Sequence, residues 1–232
     1  GEVFTATSAY PNLAAGAKAN NLTPFVVGLD AAHGCGEPLQ FRITLTANGL
    51  ASADDVVDIV VGKLSATVTS TFNIGSGSGV NLPENTAIIL NLNQGTDRGT
   101  LYDVDFEFAG SACSTSPTSS TVGLNHPAVG DLTMTLTNPD GKSIQLMSRP
   151  GAAGPSTGNN FCGTILDDSA ATTIQQIATN GSDEPHTGRF RPVELLNAFQ
   201  GGPSAGQWRL FIQDNVADGS NGRLNQIRFH FT

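Results

Sequence analysis

Short runs of alternating apolar residues, separated by turn residues, constrain the fold of this chain more than any other feature. In "LTMTLTNPDGKSIQL", every second residue from Leu132 to Leu136 is apolar, and the alternation resumes from Ile144 to Leu146. Between these runs, Pro139 presets the backbone for a turn and Gly141 can adopt a positive φ. The segment predicts a β-hairpin with one face turned towards a core.

Similar runs recur along the chain at the spacing of a β-sandwich or barrel. A total of 27 Gly and 12 Pro makes the chain rich in turns, which favours an all-β fold. One short helix of about two turns is predicted from Pro192 to a stop at Gly201, and "DSAATTIQQIA" predicts another helical turn. The predicted strands are Pro24–Asp30, Pro38–Thr46, Asp55–Val61, Thr86–Asn91, Leu101–Phe108, Leu132–Thr137, Ser143–Met147, Gln207–Gln213 and Gln226–Phe231.

The distribution of these strands predicts two modules. Three strands before residue 66 are too few to close a stable sandwich, because each edge and apolar face needs a partner. The junction is expected near "GKLSATVTST", which gives a smaller module over residues 1–66 and a larger one over residues 67–232. Because the chain begins with Gly1 rather than Met, we expect it to be a fragment or a processed product.

The charge balance disfavours two classes of partner. Twenty Asp and Glu against eleven Lys and Arg give a formal charge of −9, and this acidic chain would repel nucleic acid and anionic membranes. No apolar run approaches the roughly 20 residues that span a bilayer, so membrane insertion is not predicted.

The three cysteines match no zinc-binding spacing. In a lysine-poor chain of secreted appearance, one disulfide and one remaining thiol are expected. We favour Cys113 with Cys162, because both lie in loop-like segments of the larger module. The alternatives pair either of them with Cys35 or leave three free thiols.

The sequence lacks the motifs of the common hydrolases. There is no Gly-x-Ser-x-Gly turn, no His-Glu-x-x-His pair and no phosphate-binding loop, and the four histidines are scattered. The chain is therefore predicted not to be an enzyme by itself.

Five blocks in order resemble the P domain, also called the Homo B domain, of kexin- and furin-like proprotein convertases and of bacterial secreted peptidases. An insertion, "AGSACSTSPTSSTVG", separates the first two blocks and carries Cys113. The blocks are "LYDVDFEF", "HPAVGDLTMTLTNPDGKSIQLMSRPG", "NNFCGTILDDSA", "HTGRFRPVELLNAFQGGPSAGQWRLFIQDN" and "GRLNQIRFHFT".

The resemblance implies an eight-stranded jelly-roll β-sandwich that follows a catalytic domain in the same polypeptide and stabilises or positions it. The parent would be a secreted serine peptidase of the subtilisin/kexin type or a metalloendopeptidase, and an extracellular protein substrate is a further partner. Residues 1–66 resemble part of the Ig-like spacers that often precede P domains in bacterial exoproteins. The alternative function is a free-standing extracellular module that binds carbohydrate or protein.

Acidic residues in the family-like blocks suggest a calcium site, because Ca²⁺ prefers six to eight oxygen ligands. No local motif such as an EF-hand is present, so the carboxylates could equally accept backbone hydrogen bonds at turns. His126 is expected to be a structural hydrogen-bonding residue and Trp208 a core residue, and an aromatic content of 6% weighs against sugar binding. The candidate calcium ligands are Asp131, Asp167, Asp168, Asp214 and Asp218.

Overall fold

The computed structural model describes residues 2–14, 17–30, 33, 38–47, 51–60, 67–97, 99–151, 158–177 and 184–232. The chain divides into two compact units, Gly1–Leu64 and Ser65–Thr232. The described residues form several β-sheets that are antiparallel apart from one parallel strand pair, which confirms the all-β prediction. None of them forms a helix of the length and apolar character needed to cross a bilayer.

In the smaller unit, the described residues form two separate two-stranded antiparallel sheets, β1–β2 and β3–β4. Each β3 residue pairs with one β4 residue in continuous register, from Pro38 opposite Val60 to Leu45 opposite Ala53. The assignment of this unit as an Ig-like spacer stays a prediction. Its strands are β1 (Glu2–Thr5), β2 (Val26–Gly28), β3 (Pro38–Leu45) and β4 (Ala53–Val60).

The larger unit contains a four-stranded sheet and an eight-stranded sheet. The four-stranded sheet has the order β11-β10-β14-β7, and the larger sheet has the path β5-β16-β8-β12-β9-β15-β6 with β13 beside β12. The strands are β5 (Val68–Asn73), β6 (Val80–Leu82), β7 (Ala87–Gln94), β8 (Val104–Phe108), β9 (Leu124–Asn125), β10 (Leu132–Thr137), β11 (Ser143–Ser148), β12 (Phe161–Leu166), β13 (His186–Phe190), β14 (Gly206–Asp214), β15 (Gly222–Leu224) and β16 (Gln226–Phe231).

The core of the larger unit consists of the inward-facing residues of these strands. On β10 and β14, buried and more exposed residues alternate, as a strand that faces a core on one side requires. Trp208 is fully buried and packs its ring against those of Phe199, Phe229 and Phe231 at centroid distances of 5.2, 5.0 and 6.0 Å. Its indole N–H donates to the carbonyl of Ser204, so the one polar group of this side chain is satisfied.

The helix predicted from Pro192 to Gly201 is too long, and this prediction is wrong. Only Leu196–Phe199 forms a single 3₁₀ turn. The backbone N–H groups of Val193 and Glu194 donate instead to the carbonyls of Leu146 and Gln145, so this stretch lies along the edge of β11. The second predicted turn is present as a 3₁₀ turn at Ile174–Gln176.

Candidate functional site

A buried histidine directly after β9 contacts a buried aspartate at the end of β14. His126 Nε2 lies 3.1 Å from Asp214 Oδ2, and the two side chains are 0% and 1% exposed. The His126 Nδ1 accepts the N–H of Ala128, so the ring proton lies on Nε2 and is donated to the carboxylate. The other Asp214 oxygen accepts the N–H of Val216. Because protein groups use both Asp214 oxygens, this carboxylate has a structural role, and His126 has the one expected from the sequence.

Asp131 differs from the other candidate ligands because one of its oxygens is buried without a protein partner. It ends a 3₁₀ turn directly before β10, and only 7% of the residue is exposed. Its Oδ2 is buried without a hydrogen bond. Burial raises the pKa of this carboxyl group, and the nearby carboxylates of Asp218 and Asp214 raise it further. An added cation would relieve both the missing partner and the crowding of negative charge.

Asp218 lies on the exposed loop between β14 and β15, where its Oδ1 accepts the N–H of Ser220. The structure thus brings Asp214 and Asp218 close enough to Asp131 for their charges to raise its pKa. Within the described ranges, no group of three or more His, Cys, Asp or Glu side chains is arranged to hold a metal ion. A calcium ion at Asp131 would therefore need backbone carbonyl or water oxygens as further ligands.

Asp167 and Asp168 do not fit a metal site, because both oxygens of each carboxylate are used by protein donors. One Asp167 oxygen accepts the N–H and O–H of Ser169, and the other accepts Nη1 of Arg189 at 2.5 Å. Burial raises the pKa of Asp167, but these hydrogen bonds outweigh it and hold the pKa below its usual value. The Asp168 oxygens accept the N–H groups of Leu196 and Asn197, which fixes the 3₁₀ turn.

Arg189 links two acidic strands on the outer face of the larger sheet. Its Nη1 also lies 2.9 Å from Asp105 Oδ2, so one guanidinium nitrogen joins β8 to the end of β12. Hydrogen bonds to Asp167 and Asp105 raise the pKa of Arg189. Burial nevertheless raises the pKa of both Asp103 and Asp105, and the neighbouring carboxylates add to this effect. The Arg189 side chain is 54% exposed, so solvent screens these ion pairs.

The Cys113–Cys162 disulfide ties the insertion to β12. Its Cα atoms are 5.5 Å apart and the two residues are separated by 49 positions in sequence. The structure thus pairs the two cysteines that the sequence favours. Cys35 lies outside the described residues.

Sequence reasoning missed Asn160, which anchors the same insertion through a second set of contacts. Asn160 is fully buried and adopts φ = 63°, in the left-handed region that Asn tolerates better than most residues. Its amide nitrogen donates to the carbonyls of Ser114 and Ser116, and its side-chain oxygen accepts the N–H of His126. The Asn-Asn pair just before β12 was the available signal, since Asn is a preferred turn residue.

A second missed cluster lies on β8 and β16. The Glu107 carboxylate, 8% exposed, lies 2.8 Å from His230 Nε2 and 3.3 Å from Arg228 Nη1. The other ring nitrogen of His230 lies 3.1 Å from the Thr69 hydroxyl, which extends the contact to β5. The cluster links the three neighbouring strands β5, β16 and β8. Each of its charged side chains has a partner within the cluster.

The surface offers little for a sugar ring to stack on. Trp208 is buried, as expected. Among the described residues of the larger unit, four large apolar side chains are strongly exposed, and Tyr102 is the one aromatic ring among them. Carbohydrate-binding modules rely on planar exposed aromatic rings, so this surface weighs against the carbohydrate alternative. The exposed large apolar residues of this unit are Ile89, Tyr102, Val193 and Leu195.

Taken together, the two packed sheets of the larger unit and their buried polar contacts define an all-β module. Residues 115–231, just over half of the chain, match the family model of the proprotein convertase P-domain. The chain belongs to this family, whose members are non-catalytic accessory domains of proprotein convertases. No curated protein sequence matches it significantly.

Two solved structures are similar to the chain at low identity. One is the serine protease of Aeromonas sobria in complex with a chaperone, at 17% identity and a TM-score of 0.41. The other is the serine protease of Aeromonas sobria, at 16% identity and a TM-score of 0.40. Each alignment covers 87% of this chain and 37% of the protease chain. The present chain therefore spans little more than a third of the length of those proteins.

Proposed function

We propose that the chain is a non-catalytic accessory region of a secreted bacterial peptidase. The match of residues 115–231 to the P-domain family supports this proposal most directly. Residues 67–232 would be the P domain and residues 1–66 an Ig-like spacer, with the catalytic domain elsewhere in the same parent polypeptide. The P domain would stabilise or position that catalytic domain, and the catalytic domain would cleave extracellular protein substrates.

A core variant of the P domain tests the proposal in the parent polypeptide. Trp208→Ala removes a fully buried ring, which typically costs about 3–5 kcal/mol. We expect this change to lower the melting temperature and the activity half-life of the attached peptidase domain. The matched control is Arg209→Ala, which alters the next, exposed residue of the same strand and leaves both quantities unchanged. A parent polypeptide without peptidase activity, or a peptidase domain unaffected by Trp208→Ala, would contradict the proposal.

We further propose a calcium ion at Asp131, because its buried oxygen without a partner is the specific feature that favours one. Asp131 would supply a carboxylate oxygen, and the exposed Asp218 adds negative charge nearby. Arg149 lies near enough for its charge to lower the pKa of Asp131, but it donates no hydrogen bond to the buried Oδ2, and a bound ion would supply that direct contact. Its expected role is to fasten the start of β10 to the loop after β14.

Calcium is expected to raise the free energy of unfolding by about 2.7 kcal/mol at a concentration 100 times its dissociation constant. Titration calorimetry and thermal unfolding of the chelator-treated chain measure the effect. Asp131→Asn should abolish both the binding heat and the stabilisation. Asp140→Asn, in the exposed turn between β10 and β11, is the matched control and should preserve them. Wild-type protein that gives neither heat nor a melting shift with millimolar calcium would show that the site does not exist.

A further inference from the structure

Strand β7 is a long open edge of the four-stranded sheet. All eight residues from Ala87 to Gln94 belong to the strand, and its pairing with β14 runs in continuous register from Gln213 opposite Ala87 to Gly206 opposite Gln94. Within the described residues, β14 is the one strand that pairs with β7. The N–H and C=O groups on its other side therefore form a template for an additional strand.

The features that usually protect an edge strand are missing from β7. Its sequence, "AIILNLNQ", contains no charged residue and no proline, and its pairing with β14 has no bulge. The opposite edge of the sheet differs: the pairing of β11 with β10 has an irregular register, and Val193 and Glu194 donate backbone hydrogen bonds to it. Among the described residues of the larger unit, one edge of this sheet is thus covered, whereas no strand pairs with the outer side of β7.

An exposed apolar side chain marks the outer face of the same strand. Ile89 is 53% exposed and lies directly opposite the half-buried Phe211 of β14. Ile88 and Leu90, which alternate with Ile89, pack against the core. A strand added at this edge would cover Ile89 on its outer face and shield the two core residues on the inner face.

We propose that β7 pairs antiparallel with β7 of a second copy of the chain, around a two-fold axis at Ile89. In this register Ile89 lies opposite the partner's Ile89, and Ala87 lies opposite the partner's Asn91. The two four-stranded sheets join into one sheet of eight strands. Phe211, Ile89, the partner's Ile89 and the partner's Phe211 then form one apolar row across the junction.

The chemistry of the strand selects a second copy as the occupant. The chain carries a net charge of −9, so two copies repel each other overall and a contact between them is favoured at a surface that carries no charge. Strand β7 is uncharged along its whole length, and self-pairing brings no like charges opposite each other. Glu84, three residues before the strand, lies across from the partner's Gln94 rather than from an acid. A two-fold axis also makes the contact closed, because the same surface is used by both copies.

Sedimentation equilibrium of the full chain tests the association. We expect a concentration-dependent species of twice the 23.9 kDa chain mass. Ile89→Lys places two positive charges at the two-fold axis and should give a folded monomer whose melting temperature no longer depends on protein concentration. Thr71→Lys, an exposed position on edge strand β5 of the other sheet, makes the same charge change and should leave the dimer intact. A wild-type chain that is monomeric at its highest soluble concentration, or an Ile89→Lys variant that still dimerises, would overturn the proposal.

A cross-linking experiment tests the register. Directly opposite residues of antiparallel strands have Cα atoms about 4.5–5.5 Å apart, within reach of a disulfide. In a Cys35→Ser background, Ile89→Cys should form a covalent dimer under mild oxidation. Asn91→Cys should not, since it would lie four residues, about 13 Å, from the partner's equivalent position. Cross-linking through Asn91→Cys instead of Ile89→Cys, or through neither, would contradict the proposed two-fold axis.

Discussion

Replacing His126 by alanine is expected to lower the free energy of unfolding by about 3–5 kcal/mol. The imidazole is the partner of a carboxylate oxygen of Asp214 that water does not reach, and the Asp214 side chain is 1% exposed. Without the ring, this charge stays buried with half of its hydrogen bonds, and a cavity forms beside it. Urea unfolding can be followed by the fluorescence of the single tryptophan, Trp208, which reports the loss of the core.

His230→Ala is the matched control for this prediction. His230 also contacts a carboxylate, but its side chain is 21% exposed and Glu107 keeps Arg228 as a second partner. We expect a loss of about 1 kcal/mol. Equal losses for the two variants would show that burial of the His126–Asp214 pair does not decide its contribution to stability.

Asp214→Asn separates a structural role of Asp214 from metal binding. The two Asp214 oxygens accept the N–H of Val216 and the Nε2–H of His126. An asparagine must turn its NH₂ group towards one of these donors, so one hydrogen bond is lost whichever way the amide is oriented. The variant should therefore be destabilised to the same degree with calcium and with chelator. A loss that appears only when calcium is present would instead make Asp214 a ligand.

The sequence predicts the long strands of the core well because their side chains alternate without interruption. Strands β10, β11, β14 and β16 lie within one or two residues of their predicted bounds. Strand β12 was missed because Gly163, with φ = 61°, breaks the alternation in "FCGTIL". Strands β6, β9 and β15 have three, two and three residues, too few for any period to be visible.

The candidate ligands show a different limit of sequence reasoning. A carboxylate at a strand end has the same sequence signature whether it binds a cation or accepts backbone N–H groups. A serine two residues after Asp167 does indicate, from the sequence, a local turn in which the aspartate accepts a hydrogen bond from Ser169. Asp168 accepts the N–H groups of Leu196 and Asn197, which lie almost 30 positions away in sequence. These hydrogen bonds are visible only in the folded chain. The free oxygen of Asp131 is likewise a property of packing, not of spacing.

Removing the disulfide with Cys113→Ser and Cys162→Ser is expected to lower the free energy of unfolding by about 4 kcal/mol. The bond closes a loop between residues separated by 49 positions, and in the chain-entropy description this restricts the unfolded chain. The native contacts of the insertion persist in the variant, because Asn160 still donates to the carbonyls of Ser114 and Ser116. The folded variant should thus keep the sandwich and lose stability chiefly through its more disordered unfolded state.

Denaturant unfolding of the double variant against wild type measures this loss, and Cys35→Ser is the control that removes a cysteine without touching the bond. Reductant should destabilise wild type and Cys35→Ser alike, while leaving the double variant unchanged. Amide hydrogen exchange adds a local readout: residues 111–121 should exchange faster in the double variant, whereas β10 and β14 should follow only the global loss of stability. A double variant as stable as wild type would mean that Asn160 and its neighbours hold the insertion unaided, because the same loop would then be fixed without a covalent link.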